Sequence, residues 1–290
     1  MQHLIERISR VPHSTREFTV SPDDAMRIFG IDGTALARLA NAGLPYEIVG
    51  NERKYDEADL HFVGLRLGTA EVALVAARLM AKTLVRLTGI GSARFRVAYT
   101  YRGAAPGRAV VALPGDTSRE LWAEPHAELA VVEAPTELNW PEVPPALSAV
   151  ADAVGRLEWY RLRGDLVGDP DFSYATDLTE CLAAAEIVRR RCVAEGYEAR
   201  ASWGLALAAP RSIPHAWTEV HLDGVWRPLD PFLLTLLRDF GGLPPAEWPL
   251  SRSPGAILLR VSELPIPFLS VDGSCEPIEF STRLERGPVP

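Results

Sequence analysis

His215-Ala216-Trp217-Thr218-Glu219-Val220-His221-Leu222-Asp223-Gly224-Val225-Trp226-Arg227-Pro228-Leu229-Asp230-Pro231 is the stretch on which the reading of this chain turns. Asp-Gly between two extended arms is a strong signal for a two-residue turn joining antiparallel strands. His215 begins the first arm and Asp230 ends the second, eight residues before Asp223 and six after Gly224. Residues equally far from such a turn face each other, so the imidazole and the carboxylate come out near-opposite across the hairpin. A carboxylate in that position holds an imidazole in one tautomer and orientation, which a general base requires. Pro231 fixes the chain as it leaves.

Working upstream, the next stretch with chemical content is Glu180-Cys181-Leu182-Ala183-Ala184-Ala185-Glu186-Ile187-Val188-Arg189-Arg190-Arg191-Cys192. A helix is expected over 181–193, with Leu182, Ala185, Ile187 and Val188 packing and Glu186 and the arginines facing water. Before it, residues 170–179 read as a polar loop that holds Phe172 and Tyr174. Cys181 therefore sits where a loop becomes a helix. Helix N-termini present free N–H groups and about half a positive charge. Such a place favours thiolate over thiol and offers donors to the oxyanion of a tetrahedral intermediate.

These segments resemble the transglutaminase-like superfamily. The hairpin is similar to that family's HAW-x-E-V…G-x-W-x-x-x-D-P pattern. The cysteine helix is followed by Gly196-Tyr197-Glu198-Ala199-Arg200 and then Gly204, matching a G-I-P-A-R…G strand start in order and spacing. The chain departs from the pattern at Thr179-Glu180, where Gly-Asp is usual, and at Tyr197-Glu198, where Ile-Pro is usual. The resemblance covers residues 145–235. It implies an α+β, papain-like core with Cys181 as nucleophile, His215 as base and Asp230 as its orienter. Tyr174 is the candidate to complete the oxyanion hole, and Trp217 to wall the thiol. Trp226 and Arg200 read as packing and structural residues, His221 as a bystander, Cys192 as a packing or surface residue and Cys275 as inert.

The N-terminal part reads differently. Ser21-Pro22-Asp23-Asp24 is a well-formed helix start. A second helix follows, with Thr34 as its cap and Gly43 as its stop. Gly50-Asn51 marks a small hairpin, and a third helix starts at 56–60. This order over residues 20–66 resembles the winged helix-turn-helix of the MerR and excisionase group. Arg38 and Asn41 on the reader helix, with Arg53 and Lys54 on the hairpin, are the candidate contacts. Acids at Asp23, Asp24, Asp32, Glu47, Glu52, Asp56, Glu57 and Asp59 surround them. Phosphate neutralisation supplies most affinity for DNA, so DNA is not the expected partner and a protein partner is the other reading. Residues 1–20 are expected to be irregular. Helix Glu71–Leu87 leads to strands at 93–102, 109–113 and 129–133, and Trp140-Pro141-Glu142-Val143-Pro144-Pro145 reads as a linker.

The layout expected is a winged helix-turn-helix-like domain over 1–90, a β-rich segment over 91–140 and the transglutaminase-like domain over 141–290. A hydrophobic share of 47% supports packed cores in a chain of 290 residues. The net charge of −8 lacks the positive footprint of a nucleic-acid binder. Three cysteines without a Cys-x-x-Cys are neither a disulfide framework nor a zinc signature. No metal or cofactor, no membrane span and a cytoplasmic location are expected. The implied activity is attack on an amide, ester or thioester carbonyl through a cysteine thioester, resolved by water or an amine. The substrate would be a peptide, a carrier-bound acyl group or a small acyl compound, in a specialised biosynthetic pathway. The alternative is a DNA-binding regulator whose transglutaminase-like part senses a ligand.

Overall fold

In chain order the elements are α1 (Gln2–Ile8), β1 (Phe18–Val20), α2 (Pro22–Phe29), α3 (Gly33–Asn41), β2 (Tyr46–Val49), β3 (Glu52–Asp56), α4 (Glu57–Leu67) and α5 (Glu71–Thr88). Then come β4 (Ala93–Tyr101), β5 (Gly107–Leu113), β6 (Thr117–Ala123), β7 (Glu128–Pro135), α6 (Pro145–Val154), β8 (Glu158–Trp159), α7 (Pro170–Thr176), β9 (Leu178–Thr179) and α8 (Cys181–Ala194). The chain ends with β10 (Ala199–Ala206), β11 (Arg211–Leu222), β12 (Val225–Leu229), α9 (Pro231–Gly241), β13 (Leu258–Ser262), β14 (Leu269–Val271), β15 (Ser274–Cys275) and β16 (Ile278–Arg286). This computed structural model, a mixed α+β fold, describes residues 2–88, 93–136 and 142–286. The expected linker at 140–145 falls partly outside those residues. Within them, Glu142 bridges Arg252, and Glu285 belongs to β16.

The described residues form two compact units, 1–78 with 156–184 and 79–155 with 185–290, so the division passes through α5 and α8. Both units are discontinuous in sequence, which the expected boundaries at 90 and 140 do not contain.

In the first unit α2, α3, the β2–β3 hairpin and α4 follow the predicted order. Ser21 caps α2 through the N–H of Asp24, and Asp56 caps α4 through those of Ala58 and Asp59. The cap of α3 is Asp32, two residues before Thr34; its carboxylate accepts from the N–H of Ala35. Two segments read as irregular are ordered elements. Residues 2–8 form α1, and 18–20 form β1, which pairs with β3 in a three-stranded sheet. Phe29, Leu36, Leu39, Tyr55, Leu60 and Phe62 share one core with Ile8, Tyr160 and Leu178.

Asp56 and Asp59, counted above among surface acids, are interior. Asp59 is fully buried; it accepts from Arg16 Nε at 2.8 Å and Tyr160 Oη at 2.6 Å. Asp56 accepts from Arg163 at 2.6 Å and from the N–H of Glu17 at 2.8 Å. Burial pushes the Asp59 carboxyl above the usual carboxylate range, with Arg16 pulling the other way. A buried charge is tolerated only with such partners, and these partners come from remote parts of the chain.

In the second unit a seven-stranded sheet has the order β13-β10-β11-β16-β4-β7, with β12 also on β11. β4 alternates as the sequence predicts, burying Ala93, Phe95, Val97, Tyr99 and Tyr101. β16, from the end of the chain, pairs with β4 along its length and with Arg211 and Ser212 of β11, joining both into one sheet. Tyr99, Phe280, Phe268 and Trp203 form a run of ring contacts beneath it, with centroids 4.9–5.5 Å apart. A four-stranded sheet, β15-β14-β5-β6, completes the β structure. Helix α6 stops at Val154, and Glu158–Trp159 pairs with β9 in the first unit.

His61 of α4 lies edge-on to Trp159 at 4.6 Å, and its Nδ1 is buried without a hydrogen-bond partner. Burial, then the charge of Arg161, hold its imidazole below the ordinary value. The unfolded chain takes up this proton at about pH 6.5, so the stability tied to neutral His61 is present above that pH and is lost as pH falls below it. His61→Phe is expected to shrink the drop in melting temperature between pH 7.5 and pH 5.5. An equal drop in both proteins, by calorimetry, would contradict this.

Candidate active site

β11 turns into β12 through Asp223 (φ 52°) and Gly224 (φ 80°), both in the left-handed region. That is the two-residue hairpin turn whose twist matches the strands, and glycine meets its second position without strain. The register runs from Leu222 opposite Val225 to Thr218 opposite Leu229. One step further, Asp230 comes level with Trp217 and diagonal to His215. The imidazole Nε2 and Asp230 Oδ2 are 2.6 Å apart, with the two residues 5% and 4% exposed.

Asp230 has a second task. Its Oδ1 accepts the N–H of Leu233 at 2.9 Å, capping α9, and Pro231 stands in the first turn. One carboxylate thus starts a helix and orients an imidazole. The Asp-Pro pair is explained by the first role, since Asp is a favoured cap and proline suits the first helical position. Nε2 is the ring nitrogen of His215 that faces the carboxylate.

The neighbours of His215 on β11 and β10 fit the same design. Trp217 is 1% exposed, and its ring lies nearly parallel to the imidazole with centroids 6.3 Å apart. Gly204 is the β10 partner of His215. A Cβ there would stand 2.0 Å from the carbonyl oxygen of Leu259 and 3.0 Å from the Trp217 ring. Only glycine lets β13 and the indole come this close. Arg200 bonds its cross-strand partner Glu219 at 2.8 Å, and its guanidinium lies over Trp226 at 4.2 Å. Arg260 of β13 approaches the same Glu219 at 3.9 Å and bonds Asp116 at 2.7 Å. Arg200 and Trp226 thus pack on each other across β11. His221 pairs with Glu198 at 3.3 Å, away from His215.

In the same unit a cavity of about 710 Å³ has Val110, Ala112, Asp116 and Glu263 among its lining. Its wall residue Asp116 is bonded to Arg260, whose strand position is level with Gly204 and so with His215.

In the first unit, Cys181 is the opening residue of α8 and is half-buried. Glu180 stands immediately before it. Its carboxylate accepts from the N–H of Leu182 at 2.7 Å, of Ala183 at 2.9 Å and of Gly168 at 2.9 Å. The helix-end donors expected to serve an oxyanion are thus partly taken, since Leu182 and Ala183 already bond a side chain. A full negative charge also stands at the positive end of the helix. Glutamate is not a favoured cap, so nothing local signalled this; the loop that brings Gly168 within reach does it.

Tyr174 stands on α7, not on a loop. Asp169 caps that helix, and Tyr174 is 42% exposed. Cys192 is fully buried, and burial pushes its thiol up to about 12. Cys275 is exposed on β15. A second residue unforeseen in the sequence is Thr218, whose buried hydroxyl donates to the carbonyl of Ala185 at 2.6 Å. In the first unit, Arg38 and Asn41 are exposed on α3. Arg53 lies over the Tyr46 ring at 4.7 Å, and Lys54 bonds Glu52 at 2.7 Å.

Among the described residues no group of three or more His, Cys, Asp or Glu side chains is placed to hold a metal ion. No single helix among them is long and apolar enough to cross a membrane. No family model and no curated protein matches the chain. One solved structure, from Cytophaga hutchinsonii and named a "Putative Cysteine Protease", superposes on 69% of this chain and 93% of its own. The identity is 14% and the TM-score 0.40, a weak and partial likeness that carries no inference about activity.

The double duty of Asp230 separates two variants. Asp230→Ala removes both the α9 cap and the bond to His215 Nε2, an expected loss of about 2–3 kcal/mol. Asp230→Asn keeps a capping oxygen and is expected to stay within about 1 kcal/mol of the parent. Urea unfolding midpoints measure both, and equal losses would refute the dual role.

Proposed function

We propose that the chain is a cysteine acyl-transfer enzyme of the transglutaminase-like kind, with Cys181 as nucleophile and His215 and Asp230 as the groups that activate it. The buried imidazole–carboxylate pair at 2.6 Å carries this reading. A histidine held in one tautomer by a buried carboxylate, with a large aromatic ring beside it, has the features of a general base. The position of Cys181 at the head of α8 supports its role, because a half-buried thiol there is accessible to a substrate while Cys192 is closed off and held protonated.

The chemistry then runs as follows. His215 takes the proton from the Cys181 sulfur, and the sulfur attacks the carbonyl carbon of an amide, ester or thioester. A carbon–sulfur bond forms while the carbonyl π electrons move to oxygen. The N–H of Cys181 is the backbone donor assigned to that oxyanion, since those of Leu182 and Ala183 bond Glu180. Tyr174 is our candidate for a side-chain donor. Collapse of the intermediate breaks the bond to the leaving amine, alcohol or thiol, which takes the proton from the imidazolium. The thioester that remains is attacked by water in hydrolysis or by an amine in transfer, and the free thiol returns. Substrates of this class are peptides, carrier-bound acyl groups and small acyl compounds. In the triad Trp217 acts by packing on the imidazole, as its burial suits it to do.

The reading predicts an acyl adduct on Cys181 when the protein is incubated with activated esters, thioesters or glutamine-containing peptides and digested for mass spectrometry. Cys181→Ala is expected to lose the adduct and at least about 1,000-fold of the turnover, and His215→Ala to slow acylation steeply. Turnover that survives Cys181→Ala unchanged would overturn the proposal.

A further inference from the structure

We infer that Thr218 is a positioning residue that sets the helix of the nucleophile in register with the strand of the base; the inference rests on the triad reading above and extends it. Thr218 lies on β11 three residues beyond His215 and is fully buried. Its hydroxyl donates to the Ala185 carbonyl oxygen at 2.6 Å. Ala185 stands four residues after Cys181 on the unbroken helix α8, one turn along the same face.

That carbonyl already has a helical partner in the ordinary pattern of an α-helix, and a carbonyl oxygen has a second lone pair to give. The Thr218 hydroxyl is thus an added bond, not a repair of a broken ladder. A short branched side chain reaches helix backbone only where helix and strand lie close together, and the methyl side chain of Ala185 permits that approach. Apolar packing, supplied nearby by the buried Ile187 and Val188, resists separation but tolerates sliding along the helix axis. A directed bond to one carbonyl does not, because the next carbonyl is 1.5 Å further along and points elsewhere. In acyl transfer a misplacement of about 1 Å between reacting groups lowers rates by roughly 100-fold. A residue that removes this freedom is therefore worth more to the reaction than to the stability of the fold.

The test is the rate at which iodoacetamide modifies Cys181 in the full chain, read peptide by peptide between pH 5 and pH 9. Parent, Thr218→Val, Thr218→Ser and His215→Ala proteins are compared. A thiolate held by an imidazolium reacts well below the pH at which an ordinary thiol ionises. Thr218→Val, which keeps the shape and removes the donor, is expected to lose at least about tenfold of the rate at pH 6 and to approach His215→Ala. Thr218→Ser, which keeps the donor, is expected to follow the parent. Thr218→Val matching the parent while His215→Ala is slow overturns the strap and leaves the triad reading intact. His215→Ala matching the parent overturns the triad reading itself, and the strap with it. Should Thr218→Val fail to fold, Thr218→Ser decides: a serine variant as slow as His215→Ala overturns the inference.

Discussion

The contact between His215 and Asp230 constrains the second unit more than any other single interaction. It requires the Asp223-Gly224 turn to hold an exact register, because a slip of one residue would send the carboxylate to the other face of the hairpin. The same carboxylate begins α9, so the path of the chain after the hairpin is set by the group that orients the imidazole. A buried histidine and a buried carboxylate are each unfavourable alone and acceptable together. Structure and candidate chemistry are in this way met by one pair of side chains.

Around that pair the sheet is built to close tolerances. Gly204 has no room for a methyl group because the Leu259 carbonyl occupies its place. Arg200, Glu219, Arg260 and Asp116 form a chain of charges across β10, β11 and β13, ending at the cavity wall. β16 closes the arrangement from the far end of the sequence by pairing with both β11 and β4. In the first unit, Glu180 plays a comparable part by joining the loop at Gly168 to the start of α8.

Features carried by short-range signals were legible before any coordinates. The hairpin was announced by Asp-Gly and by alternation, α2 by Ser21-Pro22, and the β2–β3 turn by Gly50-Asn51. Each depends on residues within a few positions of one another. Errors fell where a side chain's environment is made by distant chain. Asp56 and Asp59 look like solvated helix-start acids, yet Arg16, Tyr160 and Arg163 enclose them. Residues 170–176 look like a polar loop, yet Asp169 and Pro170 start a helix there. Glu180 looks like a weak substitute for a family residue, yet its longer side chain reaches three backbone donors.

By itself the sequence determined which residues are candidates for chemistry, because Cys181 opens a helix, Asp230 caps one and His215 lies on a strand, and these elements are written locally in caps, turns and alternation. It also determined that His215 and Asp230 would meet, since a two-residue turn fixes a register by geometry alone. Only the tertiary structure decided that Nε2 is the nitrogen facing Asp230, that Glu180 takes helix-end donors, that Thr218 grips Ala185 and that β16 joins the β-rich segment to the hairpin. Those outcomes depend on contacts between residues far apart in the chain. Such contacts are selected by the packing of the whole, and no short window of sequence contains both partners.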